Sequence, residues 1–475
     1  MNPSGVGSPG AGVCTRTLGL ALGPLTLVAT PTLAIAWAEG ALPVAAGLLV
    51  PMAGGALGWA YGRRGERSPH HASGPTLAAA WAVASLLCAA PFLAAGGAFG
   101  PLNALFESAS GLTSTGLSVA GDPRELPLSL QWWRSTLQWI GGVGILYFAL
   151  TLACVERAGP EDGDDEAADG ELGSGEAEKR GPSLRRLLER TWIVYGGLTL
   201  LSFAGLYLAG MSAWDAANHA QTAAATGGFS TSADSLAAFG TAAQAVACVT
   251  MLAGAVGFGT LRLMTFGRRP AALAIDPQAR WFAAALLPLF LLVWASGVPA
   301  WPAFFEAASG LATAGFTVRE GGGGLLPIAA LPLALAMLVG ASAGSTGGGL
   351  KLARLRRLVR AAAGKPDAGH RLAEPVAATR RLAGLYAAAF ALGTLALGFA
   401  SPAGVTWVDA AFEAASALGT VGLSSGFTDA EAPAACRVVL VALMWVGRLE
   451  VVGVLALLAA PLRGGAKDRA VAQSG

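Results

Sequence analysis

The sequence predicts an all-α, polytopic membrane protein. About ten transmembrane helices are expected, with four helix–pore-loop–helix repeats in a pseudo-fourfold arrangement. Three observations predict it. The 475 residues are 54% hydrophobic and only 13% charged, where soluble domains carry about 25% charged residues. Apolar runs of the length a bilayer requires recur along the whole chain. Between them, one Gly/Thr/Ser-rich turn recurs four times.

The apolar runs have cores at 17–37, 41–61, 75–97, 128–154, 191–210, 240–264, 281–297, 325–349, 382–400 and 434–460. Several hold Gly or Pro, which membrane helices tolerate where neighbours re-satisfy the backbone. The first run begins late and, apart from Arg16, lacks a basic flank, so no cleavable signal peptide is expected. Five cysteines (Cys14, Cys88, Cys154, Cys248 and Cys436) stand at no metal-like spacing and read as small apolar residues. The net charge of +2 carries no implication for nucleic acid.

Lys and Arg set the orientation. With the N-terminus inside, the inside loops collect 26 of the 31 basic residues. Both termini are therefore expected in the cytoplasm, in a bacterial inner membrane. This partitions the chain into a two-helix segment (1–72), a first pore repeat (73–156) and an acidic cytoplasmic linker (157–190). A second repeat (191–270), a third (271–365), a fourth (366–462) and a cytoplasmic tail (463–475) follow. Within the linker, 161–182 is acidic, Gly-rich and almost free of large apolar residues. It reads as a disordered solvated loop, with a regulatory docking segment as the alternative.

The four turns align without gaps as FESASGLTSTGLS (106–118), NHAQTAAATGGFS (218–230), FEAASGLATAGFT (305–317) and FEAASALGTVGLS (412–424). Glu107, His219, Glu306 and Glu413 open them. Three residues on stand Ser110, Thr222, Ser309 and Ser416; nine on stand Gly116, Gly228, Gly315 and Gly422. Two before each glycine is a hydroxyl: Ser114, Thr226, Thr313 or Thr420. Each Ala-rich approach is half a membrane long. Each unit therefore reads as a half-helix that enters from outside and returns in extended form.

Four short extended segments can aim carbonyls at one axis and replace the water of a dehydrated monovalent cation. Glycine permits the dihedrals this needs, and the half-helix C-terminal ends add partial negative charge. The expected filter is Ser114, Thr115 and Gly116; Thr226, Gly227 and Gly228; Thr313, Ala314 and Gly315; Thr420, Val421 and Gly422. Its cargo would be K+, since Thr420-Val421-Gly422 resembles the potassium-channel signature. The competing reading is a repeated helix kink used for packing, which has no need of a hydroxyl and a glycine in one register.

With QWIGGVGI (138–145), AGMSAWDAANHAQTAAATGGFST (209–231), GASAGSTGGGLKLARLRRL (340–358) and WVGRLEVVGVLALL (445–458), the chain resembles the Trk/Ktr/HKT superfamily of potassium transporters. It is most similar to the TrkH-type membrane subunit of bacterial Trk systems. The resemblance spans about 75–460, the first two runs matching that subtype's extra N-terminal pair. It implies one pore per chain, a homodimer, and a ring-forming, nucleotide-binding cytoplasmic regulatory subunit (TrkA-like). Glycine at 116, where plant sodium carriers of the family have serine, favours potassium.

Two features break the repeat. Twenty-six residues past each glycine stand Gly142, Gly254, Ala341 and Arg448. An arginine mid-span costs about 2.5–3.5 kcal/mol on insertion scales. It reads as a positive barrier under the filter, or as a structural arginine bonded to helix-end carbonyls. Glu450 falls on another helix face. The second feature is Gly340–Gly349, whose five glycines oppose a continuous helix. It reads as a broken helix, and the resemblance implies an intramembrane gating loop; a passive kink is the alternative. Gate residues would be Gly344, Ser345, Thr346, Gly347, Gly348, Gly349 and Arg448. A phosphate-binding loop is excluded because Leu350 separates the last Gly from Lys351.

Lys351, Arg354, Arg356, Arg357 and Arg360 would anchor topology, or dock a cytoplasmic partner or anionic membrane lipid. Asp215 and Asp409 would cap or brace half-helices, or attract cations at the mouth. No paired nucleophile and base and no HExxH pattern occurs in the spans, so the chain is not expected to be an enzyme or to hold an organic cofactor. Potassium uptake is the leading reading. Sodium permeation and H+- or Na+-coupled symport by the same fold remain open.

Overall fold

A computed structural model of the chain describes residues 15–64, 74–155, 184–319, 327–364 and 376–449. The acidic segment 161–182, Glu450 and the tail 463–475 lie outside these residues. The described residues are helical or irregular and hold no strand. Among them six helices are long and apolar enough to cross a membrane, or seven if a bent pair counts as one. Leu27, Leu208 and Phe399 on three of these helices are each more than three-quarters exposed. Large apolar side chains in water would cost about 1.5–3 kcal/mol each, so this outer surface is built for lipid.

Between the long helices sit four short ones: Pro101–Leu112, Ala213–Ala224, Ala300–Ala312 and Trp407–Gly419. At 1.5 Å per residue they cover about 18–20 Å, well short of the ~30 Å hydrocarbon layer. Their starts are chemically marked. Pro101 occupies the first turn, where its missing N–H is harmless. Ser212 accepts from the Asp215 N–H at 3.0 Å. Thr406 and Asp409 form a reciprocal capping box. Thus Asp409 caps its half-helix, and Asp215 also accepts from the Thr231 hydroxyl at 2.6 Å.

Apolar clusters join the repeats in closed order. Val143 meets Tyr195, Ala224 and Phe258 between repeats one and two. Met251 and Ala255 share a core with Phe305 and Phe316 between two and three. Leu311 and Leu333 pack with Phe412 and Val421 between three and four. Leu418 and Met444 pack with Phe106 and Leu117, returning to repeat one. The N-terminal helices stand outside this circuit, with Leu25 and Leu48 packed toward Phe92 and Trp133 of repeat one. Cys88, Cys248 and Cys436 are buried free thiols, as their apolar surroundings imply.

One expected span is not continuous. The run 240–264 is two helices, Thr241–Ala255 and Phe258–Thr265, bent by 104° at the break. The glycine-rich segment fills the crook: the Phe258 N–H donates to the Gly344 carbonyl at 2.7 Å, capping the second helix. The break at Gly340 falls where the composition places it, after helix Pro327–Val339. The chain loops and returns, Leu350 and Lys351 donating to the Leu338 and Val339 carbonyls at 2.9 Å each. Gly340 and Gly349 cross at the loop's neck with φ of +72° and +77°. A Cβ on either would strike the other's Cα, so only glycine fits both the dihedral and the approach.

Candidate functional site: a ring of four turns above a glycine-rich loop

The four turns share one backbone geometry. Ser114, Thr226, Thr313 and Thr420 are left-handed, with φ of 53°, 50°, 56° and 50°. Gly116, Gly228, Gly315 and Gly422 follow with φ of 93°, 81°, 75° and 99°. The residue between them closes each half-helix. Thr115, Gly227, Ala314 and Val421 donate to the carbonyls of Ser110, Thr222, Ser309 and Ser416 at 2.8–2.9 Å. Non-glycine residues at positive φ are strained by about 1–3 kcal/mol each. The sequence reading assigned unusual dihedrals to the glycines and missed those of the hydroxyl residues.

The turns come together in cyclic order. A Cβ added to Gly116 would meet the Gly227 carbonyl, and one on Gly228 the Ala314 carbonyl. One on Gly315 would meet the Val421 carbonyl, and one on Gly422 the Thr115 carbonyl. All four glycines border one cavity of about 320 Å³. Arg134, Glu306, Asp409 and Asp429 reach its wall.

The opening residues of the half-helices brace the returning chain eleven residues on. Glu107 accepts from Ser118 at 2.9 Å, and His219 shares a hydrogen bond with Ser230 at 2.9 Å. Glu306 accepts from Thr317. Glu413 accepts from Ser424 at 2.5 Å, the Ser425 N–H at 2.9 Å and Thr428 at 2.7 Å. Repeat one adds a buried ion pair, Arg134 Nε to Glu107 at 2.7 Å. Arg134 also donates to the Ser230 carbonyl at 3.0 Å and lies over the Phe229 ring at 4.2 Å. Sequence reasoning gave Arg134 no role; it is one of the five basic residues left out of the inside loops. Its place within the apolar run 128–154 was the available signal.

On the opposite side the hydroxyls face the glycine-rich loop. Thr226 meets the Thr346 hydroxyl at 3.3 Å, and Thr313 accepts from the Gly348 N–H at 2.7 Å. Thr420 Oγ1 is buried beside Gly348, with no hydrogen-bond partner among the described residues. Thr346 also donates toward the Ala224 and Gly254 carbonyls at 3.2 and 3.1 Å. Ser345 turns back to the Ser342 carbonyl at 2.6 Å. Arg448, 3% exposed, completes the floor. It donates to the Thr346 carbonyl at 2.9 Å, the Gly141 carbonyl at 2.6 Å and Ser114 Oγ at 3.4 Å. All the predicted filter and gate residues therefore lie in one assembly, the loop and arginine beneath the ring.

Apolar outer helices and four inward half-helices with strained polar turns define a multi-pass membrane protein with a polar site along its centre. The chain belongs to the TrkH family of cation transport proteins, whose model matches residues 44–296 and 289–463. It is 30% identical over 480 residues to the Trk system potassium uptake protein TrkH of Halomonas elongata, covering 93% of this chain and 97% of that one. It is 31% identical over 353 residues to the protein of the same name from Vibrio parahaemolyticus, covering 71% and 72%. The crystal structure of the potassium transporter TrkH from Vibrio parahaemolyticus superposes with a TM-score of 0.75 at 26% identity, over 93% of this chain and 98% of that one.

Proposed function

We propose that this chain carries potassium into the cell across the bacterial inner membrane, through a pore between its four repeats. The observation that carries this reading is the closed order of four equivalent turns around one cavity. Positive φ at the hydroxyl residue and at the glycine, with an ordinary residue between them, turns successive carbonyls to one side, where they replace a cation's hydration shell. The half-helices' C-terminal ends add negative potential there. An inside-negative membrane potential supplies about 2.3 kcal/mol per charge per 100 mV. The names of the Halomonas and Vibrio relatives support potassium as the cargo.

The gate in this reading is Gly344–Gly349 with Arg448. The loop fills the space under the hydroxyls, and the buried guanidinium places a positive charge on the cation's route. The basic helix Leu352–Ala362 follows directly, so a cytoplasmic partner could pull on the loop through it. A TrkA-like nucleotide-binding subunit is that partner, and the working unit is a homodimer with both termini cytoplasmic. The test is reconstitution into liposomes, with K+, Rb+ and Na+ fluxes measured separately and at two pH values. Potassium flux above sodium flux supports the reading. Equal fluxes, or dependence on a proton or sodium gradient, would favour the permissive or coupled alternative.

A further inference from the structure

The four quarters of the ring are not held alike: Ser309 Oγ of repeat three is buried without a hydrogen-bond partner among the described residues, and repeat two uses a different group altogether. In repeats one and four, the half-helix hydroxyl holds the turn: Ser110 Oγ accepts from Gly116 N, and Ser416 Oγ from Gly422 N, at 3.0 Å each. In repeat two the corresponding hydroxyl, Thr222, turns back to the Asn218 and His219 carbonyls at 3.3 Å. Gln138, fully buried on the second span of repeat one, takes over. Its Nε2 donates to the Gly227 carbonyl, and its Oε1 accepts from the Phe229 N–H at 3.0 Å. A side-chain amide here pairs with residues i and i+2 of an extended segment, as a neighbouring strand would.

This also explains why repeat two alone has glycine at the middle position, where the others have Thr115, Ala314 and Val421. Gly227 is not at positive φ, so its backbone would accept a side chain. The obstacle is space: a Cβ there would run into the amide end of Gln138 and lie 3.0 Å from its Cβ.

We propose that Gln138 is a specificity-determining positioning residue: its amide sets where the repeat-two carbonyls stand in the ring and so tunes which cation fits. The inference rests on the transport reading above. Twenty-two residues past the other filter glycines stand Thr250, Met337 and Met444. The Thr250 hydroxyl bonds Ser202 and the Val246 carbonyl instead, and a methionine side chain has no hydrogen to donate, so the ring is asymmetric at this level.

The test is the K+/Na+ flux ratio of the full chain in liposomes for wild type, Gln138→Leu, Gly227→Ala and the double variant Gln138→Ala/Gly227→Ala. Thermal unfolding of each is measured in parallel. Gln138→Leu keeps the bulk and loses both hydrogen bonds, and should lower the ratio by about three- to tenfold. Gly227→Ala should lower the melting temperature, and removing Gln138 in the double variant should recover most of that loss. A Gln138→Leu ratio within twofold of a conducting wild type overturns this inference alone. So does a Gly227→Ala protein as stable and selective as wild type. A wild type that carries no alkali cation overturns this inference and the transport reading together.

Discussion

Arg448 Nη1 lies 2.9 Å from the Thr346 carbonyl, joining the fourth repeat's second span to the summit of the third repeat's loop. The arginine thereby replaces two hydration partners with fixed carbonyls, and holds the loop against the ring. In the proposed reading, the charge barrier and this structural tie are one arrangement.

Arg448→Ala removes both. Loss of the positive charge and release of the Thr346 and Gly141 carbonyls act in the same direction. Basal Rb+ uptake into liposomes is expected to rise about tenfold or more, equivalent to ~1.4 kcal/mol. Uptake and its regulation equal to wild type would refute the barrier.

Gly348 has no room for a methyl group. A Cβ there meets Thr420 Oγ1 and the Gly419 carbonyl. Overpacking of this kind costs about 1–3 kcal/mol. Gly348→Ala should push the loop off its seat, and single-channel recording should show a higher open fraction. An unchanged open fraction would count against the loop as a gate.

Glu413 gathers the Ser424, Ser425 and Thr428 donors onto one carboxylate. Glu413→Ala orphans these groups, at about 1–3 kcal/mol for each one left buried. A clear drop in melting temperature is expected, with loss of ion discrimination. Glu413→Gln keeps both shape and an acceptor, and should fall between. Equal stability of all three proteins would show that the brace is idle.

Arg134 and Glu107 form a buried ion pair. Removing one member of such a pair costs about 3–5 kcal/mol, because the survivor is left charged in a dry site. Arg134→Met should therefore destabilise more than the double variant Arg134→Met/Glu107→Leu. A double-mutant cycle by thermal unfolding reads the coupling, and purely additive losses would contradict it.

The repeat was legible because it is written in residue types. A hydroxyl, a glycine and an opening acid or histidine recur at fixed offsets, and those offsets survive folding because half-helices and turns are local structures. The brace from Glu413 to Ser424 was not read from the alignment, though both residues stand in it. Nothing local says that an eleven-residue separation closes into contact until the half-helix reverses direction.

By itself, the sequence determined the apolar, membrane-embedded character of the chain, the four turns and the break after Val339. Each follows from solvent preference or backbone freedom within some twenty residues. Tertiary structure alone decided that the turns close into a ring and that Gln138 stands in for the hydroxyl of Thr222. It also decided that helix Thr241–Ala255 bends where Gly344 caps its continuation. Those outcomes depend on which surfaces distant segments bring together, and packing between repeats is not encoded at any one spacing along the chain.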